Sequence, residues 1–190
     1  DIIANFALNN PHIMDNITIR QANSEDIDEL MRIYDVARRY MRQTGNLTQW
    51  INGYPSRYQV LSDVTQGVGY VGEDRAGHIV MAFAFIIGSD PTYSYIEDGR
   101  WLNDLPYGTI HRLGSDGSHA GVLRRCVEFC FSKINNLRLD THADNAPMRA
   151  AAGRLGFTRC GVIYCDDGSP RIAYQKSLLT LGEADLINIC

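Results

Sequence analysis

Several things are missing from this sequence, and each absence closes a class. No apolar run approaches the roughly 18 residues that a membrane-spanning helix needs, so no membrane role is read from it. The first residues, Asp1-Ile-Ile-Ala-Asn-Phe-Ala-Leu-Asn-Asn, lack the basic region and long apolar run of a signal peptide. Positive charge is not in excess: 18 Lys and Arg against 22 Asp and Glu leave a formal net charge of −4, which argues against a general nucleic-acid surface. Repeats and low-complexity tracts are absent. The 5 cysteines (Cys126, Cys130, Cys160, Cys165 and Cys190) include no Cys-x-x-Cys and are accompanied by no paired histidines. An odd number of cysteines without a secretory signal favours free thiols in a reducing, cytoplasmic compartment. Cys126 and Cys130 share a helix face and are expected to be buried as small apolar residues. No metal site is expected.

What is present is an ordinary globular composition, 45% hydrophobic and 21% charged over 190 residues, enough for one domain with a real core. Residues 1–16 show no period and are expected to be an N-terminal extension; the domain is expected over 17–178, with 179–190 as a C-terminal tail. Ile17, Thr18, Ile19 and Arg20 alternate as a first strand. Asn23 or Ser24 then caps a helix whose apolar stripe is Ile27, Leu30, Met31, Tyr34, Ala37 and Met41. The opposite face, Arg32, Arg38, Arg39 and Arg42, is expected to be solvated. An aromatic, turn-rich segment from Gln49 to Pro55 precedes a second helix over Ser56–Thr65. Val68–Gly72 and Ile79–Ile87 form a hairpin. Residues 88–107 make a long loop rich in aromatics and acids, a length commonly associated with function or mobility.

The stretch Thr109–Arg125 reads as a buried strand, a Gly/Ser loop and the first turn of a helix. The first four N–H groups of a helix have no internal partner, and its dipole favours negative charge there. Gly114, Gly117 and Gly121 permit tight turns and close approach of a ligand; the alternative is a connection whose glycines serve geometry only. Leu137–His142 then alternates as a half-buried strand. Asp144-Asn145-Ala146-Pro147 opens another helix, ending at Leu155-Gly156-Phe157. Two strands, Phe157–Cys165 and Arg171–Leu178, flank the turn Asp166–Pro170. The order β-α-α-β-β-β-α-β-α-β-β predicts an α/β (α+β) fold, a mixed sheet with helices packed on it.

In element order, in the strand–loop–helix at 109–131, and in Asp144-Asn145-Ala146-Pro147-Met148 leading to Leu155-Gly156-Phe157, the chain resembles the GNAT superfamily of acyl-CoA-dependent N-acyltransferases, over roughly residues 17–178. The resemblance implies a mostly antiparallel sheet of about seven strands, splayed between strands 4 and 5. It implies acetyl-CoA in that splay, paired through backbone groups around Leu113. The family's pyrophosphate loop falls on Ser118-His119-Ala120-Gly121-Val122-Leu123, with Ser118 in place of the usual Arg or Gln and Leu123 in place of a second small residue. Arg124 and Arg125 can add charge. Asn145 matches the family's cofactor-contacting asparagine, and also suits a helix N-cap. The tyrosine that serves many members as general acid is replaced by Ala152, leaving Tyr164 and Tyr174 as candidate donors.

Acyl transfer to an amine requires a base, a hold on the oxyanion and a proton for the thiolate. His111, within the central strand, is the first choice of base, although a histidine there can equally be structural. His142 and Asp140 compete for the role, with His142 alternatively fixing its turn. Trp50, Tyr54, Trp101 and Tyr107 are placed to wall an acceptor pocket, and Glu97, Asp98 and Asp167 to attract a cationic amine. The expected activity is direct transfer of acetyl from acetyl-CoA to a small-molecule amine or a peptide N-terminus. The alternative is a catalytically weakened acyl-CoA sensor of the same fold. Because dimers are common in the family, the resemblance admits a homodimer.

Overall fold

The computed structural model describes residues 17–179; the expected extension at 1–16, the tail beyond 179 and Cys190 lie outside the described residues. β1 (Thr18–Gln21) leads through a single 3-10 turn at Ser24–Asp26 into α1 (Ile27–Gln43). Asn23 and Asp26 form a capping box that satisfies the donors at this entry. The buried face of α1 comprises Ile27, Leu30, Ile33, Tyr34, Ala37 and Met41. α2 (Arg57–Thr65) is capped by Ser56, whose side chain accepts from Gln59 N. β2 (Gly69–Glu73) and β3 (Ile79–Ile87) form the expected hairpin, its turn tied by Asp74, which accepts from the N–H groups of Ala76 and His78. Then follow β4 (Gly108–Ser115), α3 (Val122–Phe131), β5 (Asn136–Thr141), α4 (Ala146–Arg154), β6 (Thr158–Tyr164) and β7 (Pro170–Ser177).

The seven strands lie in the order β1-β2-β3-β4-β5-β7-β6, antiparallel except for β4 and β5. That parallel pair holds for only three registers, Gly108↔Leu137, Thr109↔Arg138 and Ile110↔Leu139. Beyond it, β4 continues along β3 as far as Ser115, and β5 continues along β7 as far as Thr141. The two strands therefore diverge past Ile110 and Leu139, opening a gap whose edges have lost their ladder partner.

Side-chain alternation sorts the strands into two faces. One carries Met81, Phe83, Ile110, Leu137 and Leu139 against Leu123, Cys126, Val127 and Cys130 of α3 and Ala152 of α4, forming the main core. Each large side chain fully buried there contributes roughly 1.5–3 kcal/mol. On the opposite face, α1 and α2 cover Val71, Ile79 and Ala82. Over β7 and β6 no described helix lies on that face; the segment 88–107 takes its place, packing Tyr93, with Ile96, Trp101 and Tyr107, on Ile163 and Ala173. Its far end joins the sheet, where Glu97 and Val162 exchange main-chain hydrogen bonds of 2.8 Å.

The basic side of α1 is not simply solvated. Arg42 donates to the carbonyls of Asn46, Gln49 and Trp50 at 2.6–3.1 Å, and Arg38 donates to those of Gly53 and Tyr54 at 3.3 and 3.0 Å. Arg32 reaches Ile79 O at 2.8 Å. A loop with no sheet or helix partner for its carbonyls finds those partners in arginines one helical turn apart. The string Gly67-Val68-Gly69-Tyr70-Val71-Gly72 has the spacing of a dinucleotide-binding loop, but it runs from a helix into β2 instead of from a strand into a helix.

Candidate active site

The site is assembled where β4 leaves β5. A register shift between Ala82↔Gly114 and Ala84↔His111 inserts one extra residue into β4. Arg112 occupies this bulge at φ 55°, a left-handed conformation that costs a non-glycine residue on the order of 1 kcal/mol or more. The bulge turns His111 and Arg112 to the same face, that of α1, α2 and the 88–107 segment. Arg112 is anchored there by bidentate bonds of 2.8 and 2.9 Å to Asp63 of α2 and by a 3.3 Å bond to Tyr54 Oη. His111 Nε2 lies 2.7 Å from Asp90 Oδ2, and its ring tilts against Tyr93 at 6.1 Å. Burial pushes the Asp90 carboxyl up, but hydrogen bonds from His111 and Thr92 outweigh it and hold the group at about 2.

Past the bulge, β4 ends in a loop built around Asp116, whose carboxylate accepts from Ser118 N at 3.0 Å and from the Ser118 hydroxyl. Gly117 (φ 79°) and Gly121 (φ 73°) take the left-handed turns, and Gly121 stands at the N-terminus of α3 without a side-chain cap. Among the described residues, no protein acceptor meets the backbone N–H groups from His119 to Arg124. Six donors in a row at a helix start can together meet an anion. Leu123 does not obstruct it, since its side chain is 8% exposed and packs into the main core. Ser118 is engaged locally with Asp116 and with His119 Nδ1 at 2.9 Å. Arg124 is exposed on the first turn, while Arg125 bonds Ile17 O and Glu128. A pocket of about 600 Å³ opens behind this loop, but its charges pair with one another, Arg20 with Asp26 and Glu73, Arg32 with Glu29.

The α1–α2 connection forms one wall of the gap. Trp50 packs edge-on against Tyr34 at 5.7 Å and against Tyr54 at 6.4 Å. From this wall, Gln49 Oε1 accepts from Asn145 Nδ2 at 3.1 Å. His142 Nδ1 accepts from Asp144 N at 3.2 Å, so its Nε2 donates to Thr48 Oγ1 at 3.1 Å. His142 thus fastens a turn to the wall. Asn145 is the N-cap of α4, accepting from Met148 N at 3.2 Å, and both ends of its amide are engaged.

The 88–107 segment forms the opposite wall. Arg138 of β5 lies between Trp101 and Tyr107 at 4.0 and 3.9 Å, and Trp101 Nε1 donates to Tyr93 O at 3.1 Å. Trp101 therefore holds the wall together from within. Tyr93 Oη donates to Asp140 at 2.8 Å. Glu97, bridged to β6, bonds Tyr164 at the end of that strand, which β5 and β7 separate from the gap. The structure does not bring that pair together with His111. Tyr174 is closer: it lies opposite Leu139 on the α3–α4 face, 6% exposed, its hydroxyl without a hydrogen-bond partner among the described residues.

Asp90, Arg112, Asp63 and the arginines of α1 are the participants that sequence reading did not single out. Asp90-Pro91-Thr92 carried a capping signal. Nothing local links Asp63 to Arg112, 49 residues away.

A mixed seven-stranded sheet parted between its one parallel pair, with an uncapped glycine-started helix at the parting, defines the acetyltransferase fold of the GNAT type. No family model and no curated protein matches the sequence. Among solved structures, a GNAT-family acetyltransferase from Streptococcus agalactiae is 30% identical over 88% of this chain and 98% of its own, with a TM-score of 0.79. One from Listeria monocytogenes is 21% identical over 85% and 95%, with a TM-score of 0.64. The NatC complex bound to Gag peptide and CoA contains a chain 14% identical over 86% and 99%, with a TM-score of 0.55. The chain belongs to the GNAT family of acetyltransferases.

Proposed function

We propose that this protein transfers the acetyl group of acetyl-CoA directly to a primary amine, with no covalent enzyme intermediate. The observation that carries this reading is the gap between β4 and β5 combined with the unpaired amides of 119–124 at its mouth. Those donors suit the diphosphate, with exposed Arg124 beside them. The freed edge of β4 from His111 to Ser115 suits the amide-bearing arm of the cofactor as an added strand, and its N–H groups can hold an oxyanion.

His111 takes the proton from the acceptor nitrogen as the N–C bond forms. The C–S bond then breaks, and the thiolate takes a proton from solvent or from a nearby hydroxyl. Tyr174 is the hydroxyl on the cofactor face that is free to give one. Trp50 and Tyr54 face the acceptor from a wall held rigid by Arg38 and Arg42. The acceptor is a small-molecule amine or a peptide N-terminus; a fold neighbour from a complex bound to a peptide and CoA keeps the latter in view. Four unpaired thiols among the described residues suit a reducing cytoplasm, and no described helix is long and apolar enough to cross a membrane.

The test is calorimetric titration with CoA, together with thiol release from acetyl-CoA over a panel of primary amines and free-N-terminus peptides. Binding with turnover on at least one acceptor supports the proposal. Binding with no turnover favours a sensor, the reading to which the fully buried Ala152 lends weight. Failure to bind CoA overturns both.

A further inference from the structure

We infer that Asp90 is a positioning residue of the transfer site, holding the neutral His111 ring with its proton on Nε2 so that Nδ1 is the nitrogen that accepts the proton of the amine. The inference rests on His111 being the base, and goes beyond that reading by naming the reactive nitrogen and the group that selects it.

Asp90 has little freedom to move. Its Oδ1 accepts from Thr92 N at 2.9 Å and from Thr92 Oγ1 at 2.6 Å, and its own N–H donates to Tyr107 Oη at 2.9 Å. The second oxygen, Oδ2, is directed at His111 Nε2, 2.7 Å away, across 21 residues of sequence. Both side chains are largely shielded, 17% exposed for His111 and 12% for Asp90, so water competes weakly for this bond.

An ionised carboxylate only accepts hydrogen bonds, and one held at about 2 stays ionised wherever the protein is folded near neutrality. Nε2 must therefore be the donor. A neutral imidazole has one protonated nitrogen, which leaves the lone pair on Nδ1. Among the described residues Nδ1 has no partner. The adjacent charges do not compete for it: Arg112 turns to Asp63, and Asp140 is taken by Tyr93 Oη. When Nδ1 is protonated in the reaction, the ring becomes an imidazolium and Asp90 faces it as the counter-charge, the arrangement that lets a carboxylate orient and stabilise a histidine base without itself changing protonation.

Asp90 also caps the 3-10 turn at Pro91–Tyr93, so loss of activity alone cannot separate positioning from folding. Asp90→Asn keeps the size and the capping oxygen, but its amide can offer N–H to Nε2 and move the ring proton to Nδ1. The measurement is imidazole ¹⁵N spectroscopy of the neutral His111 ring in the full chain, for wild type and D90N. It is paired with single-turnover acetyl transfer to whichever of phenylethylamine, lysine and a free-N-terminus tripeptide releases thiol fastest.

We expect wild type to carry the proton on Nε2. D90N is expected to shift it to Nδ1 and to slow single turnover by on the order of 10²-fold, with CoA affinity within about twofold of wild type. A wild-type proton on Nδ1, or a D90N protein with unchanged tautomer and rate, overturns the inference while leaving His111 as the base. Full single-turnover rate in His111→Gln overturns the underlying base assignment. If D90N does not fold, the wild-type spectrum alone decides.

Discussion

Two loops meet at the parting of the sheet, and they treat their backbones in opposite ways. The connection between α1 and α2 has its carbonyls taken up: Arg38 and Arg42 bond five of them between Asn46 and Tyr54. The turn into α3 leaves amides unused, the six consecutive N–H groups from His119 to Arg124 meeting no protein acceptor among the described residues. Burying or shielding backbone polar groups without partners is costly. A loop that satisfies them can serve as a wall, and one that leaves them free at a helix start can receive an anion. In the proposed reading, the contrast divides the site into a self-supporting acceptor side and a cofactor side.

The largest effect should come from putting an acid into the receptive loop. Gly121→Asp places a carboxylate where the proposal puts the diphosphate, and a side chain at φ 73°, and CoA affinity measured by calorimetry should fall by on the order of 10²-fold or more. An unchanged affinity would remove this loop from the site and end the contrast. Next in size, His111→Ala should lower kcat by on the order of 10²-fold with little change in CoA binding; equal losses in both would place His111 in the architecture instead of the chemistry.

On the wall, Arg42→Ala frees three carbonyls at once. It should cost about 1–3 kcal/mol in chemical denaturation and raise the KM for the acceptor, leaving CoA affinity within about twofold. A rise in the dissociation constant for CoA instead would show that the two sides are not separable.

The smallest effect concerns acid. The Asp90 carboxyl titrates at about 2 when folded, against an ordinary value of 3.8. Its folded value is depressed, so it contributes stability that is present above about pH 4 and is lost as the pH falls toward 2. The contribution is about 2 kcal/mol by linkage. Denaturation curves for D90N should show a correspondingly shallower loss between those two pH values, and identical slopes would mean that the His111 and Thr92 contacts are weaker than their geometry.

How much of this was legible in the chain depends on the range of the interactions. The element order, the caps at Asn23, Ser56 and Asn145, and the loop at 109–125 are local, carried by periodicity and by residues two to four apart. The family resemblance supplied the splay. What could not be read were contacts closed by tertiary folding. Arg112 meets Asp63 across 49 residues, and Asp90 meets His111 across 21. The arginines of α1 looked like a solvated stripe because nothing in a helix pattern reveals that the next loop folds back onto it. Trp101 and Glu97 were read toward a pocket for the same reason; the segment carrying them covers a sheet face that no described helix covers, and its aromatics pack inward on Arg138, Ile163 and Ala173. Leu123 stands where the family has a small residue, but the first turn of α3 points it into the core.

Hydrogen exchange of the backbone amides from His119 to Arg124, followed with and without saturating CoA, tests the central claim most directly. Ligand-dependent protection confined to those amides and to the free edge of β4 is the predicted result. Bound CoA with those amides exchanging as fast as in the free protein would contradict it.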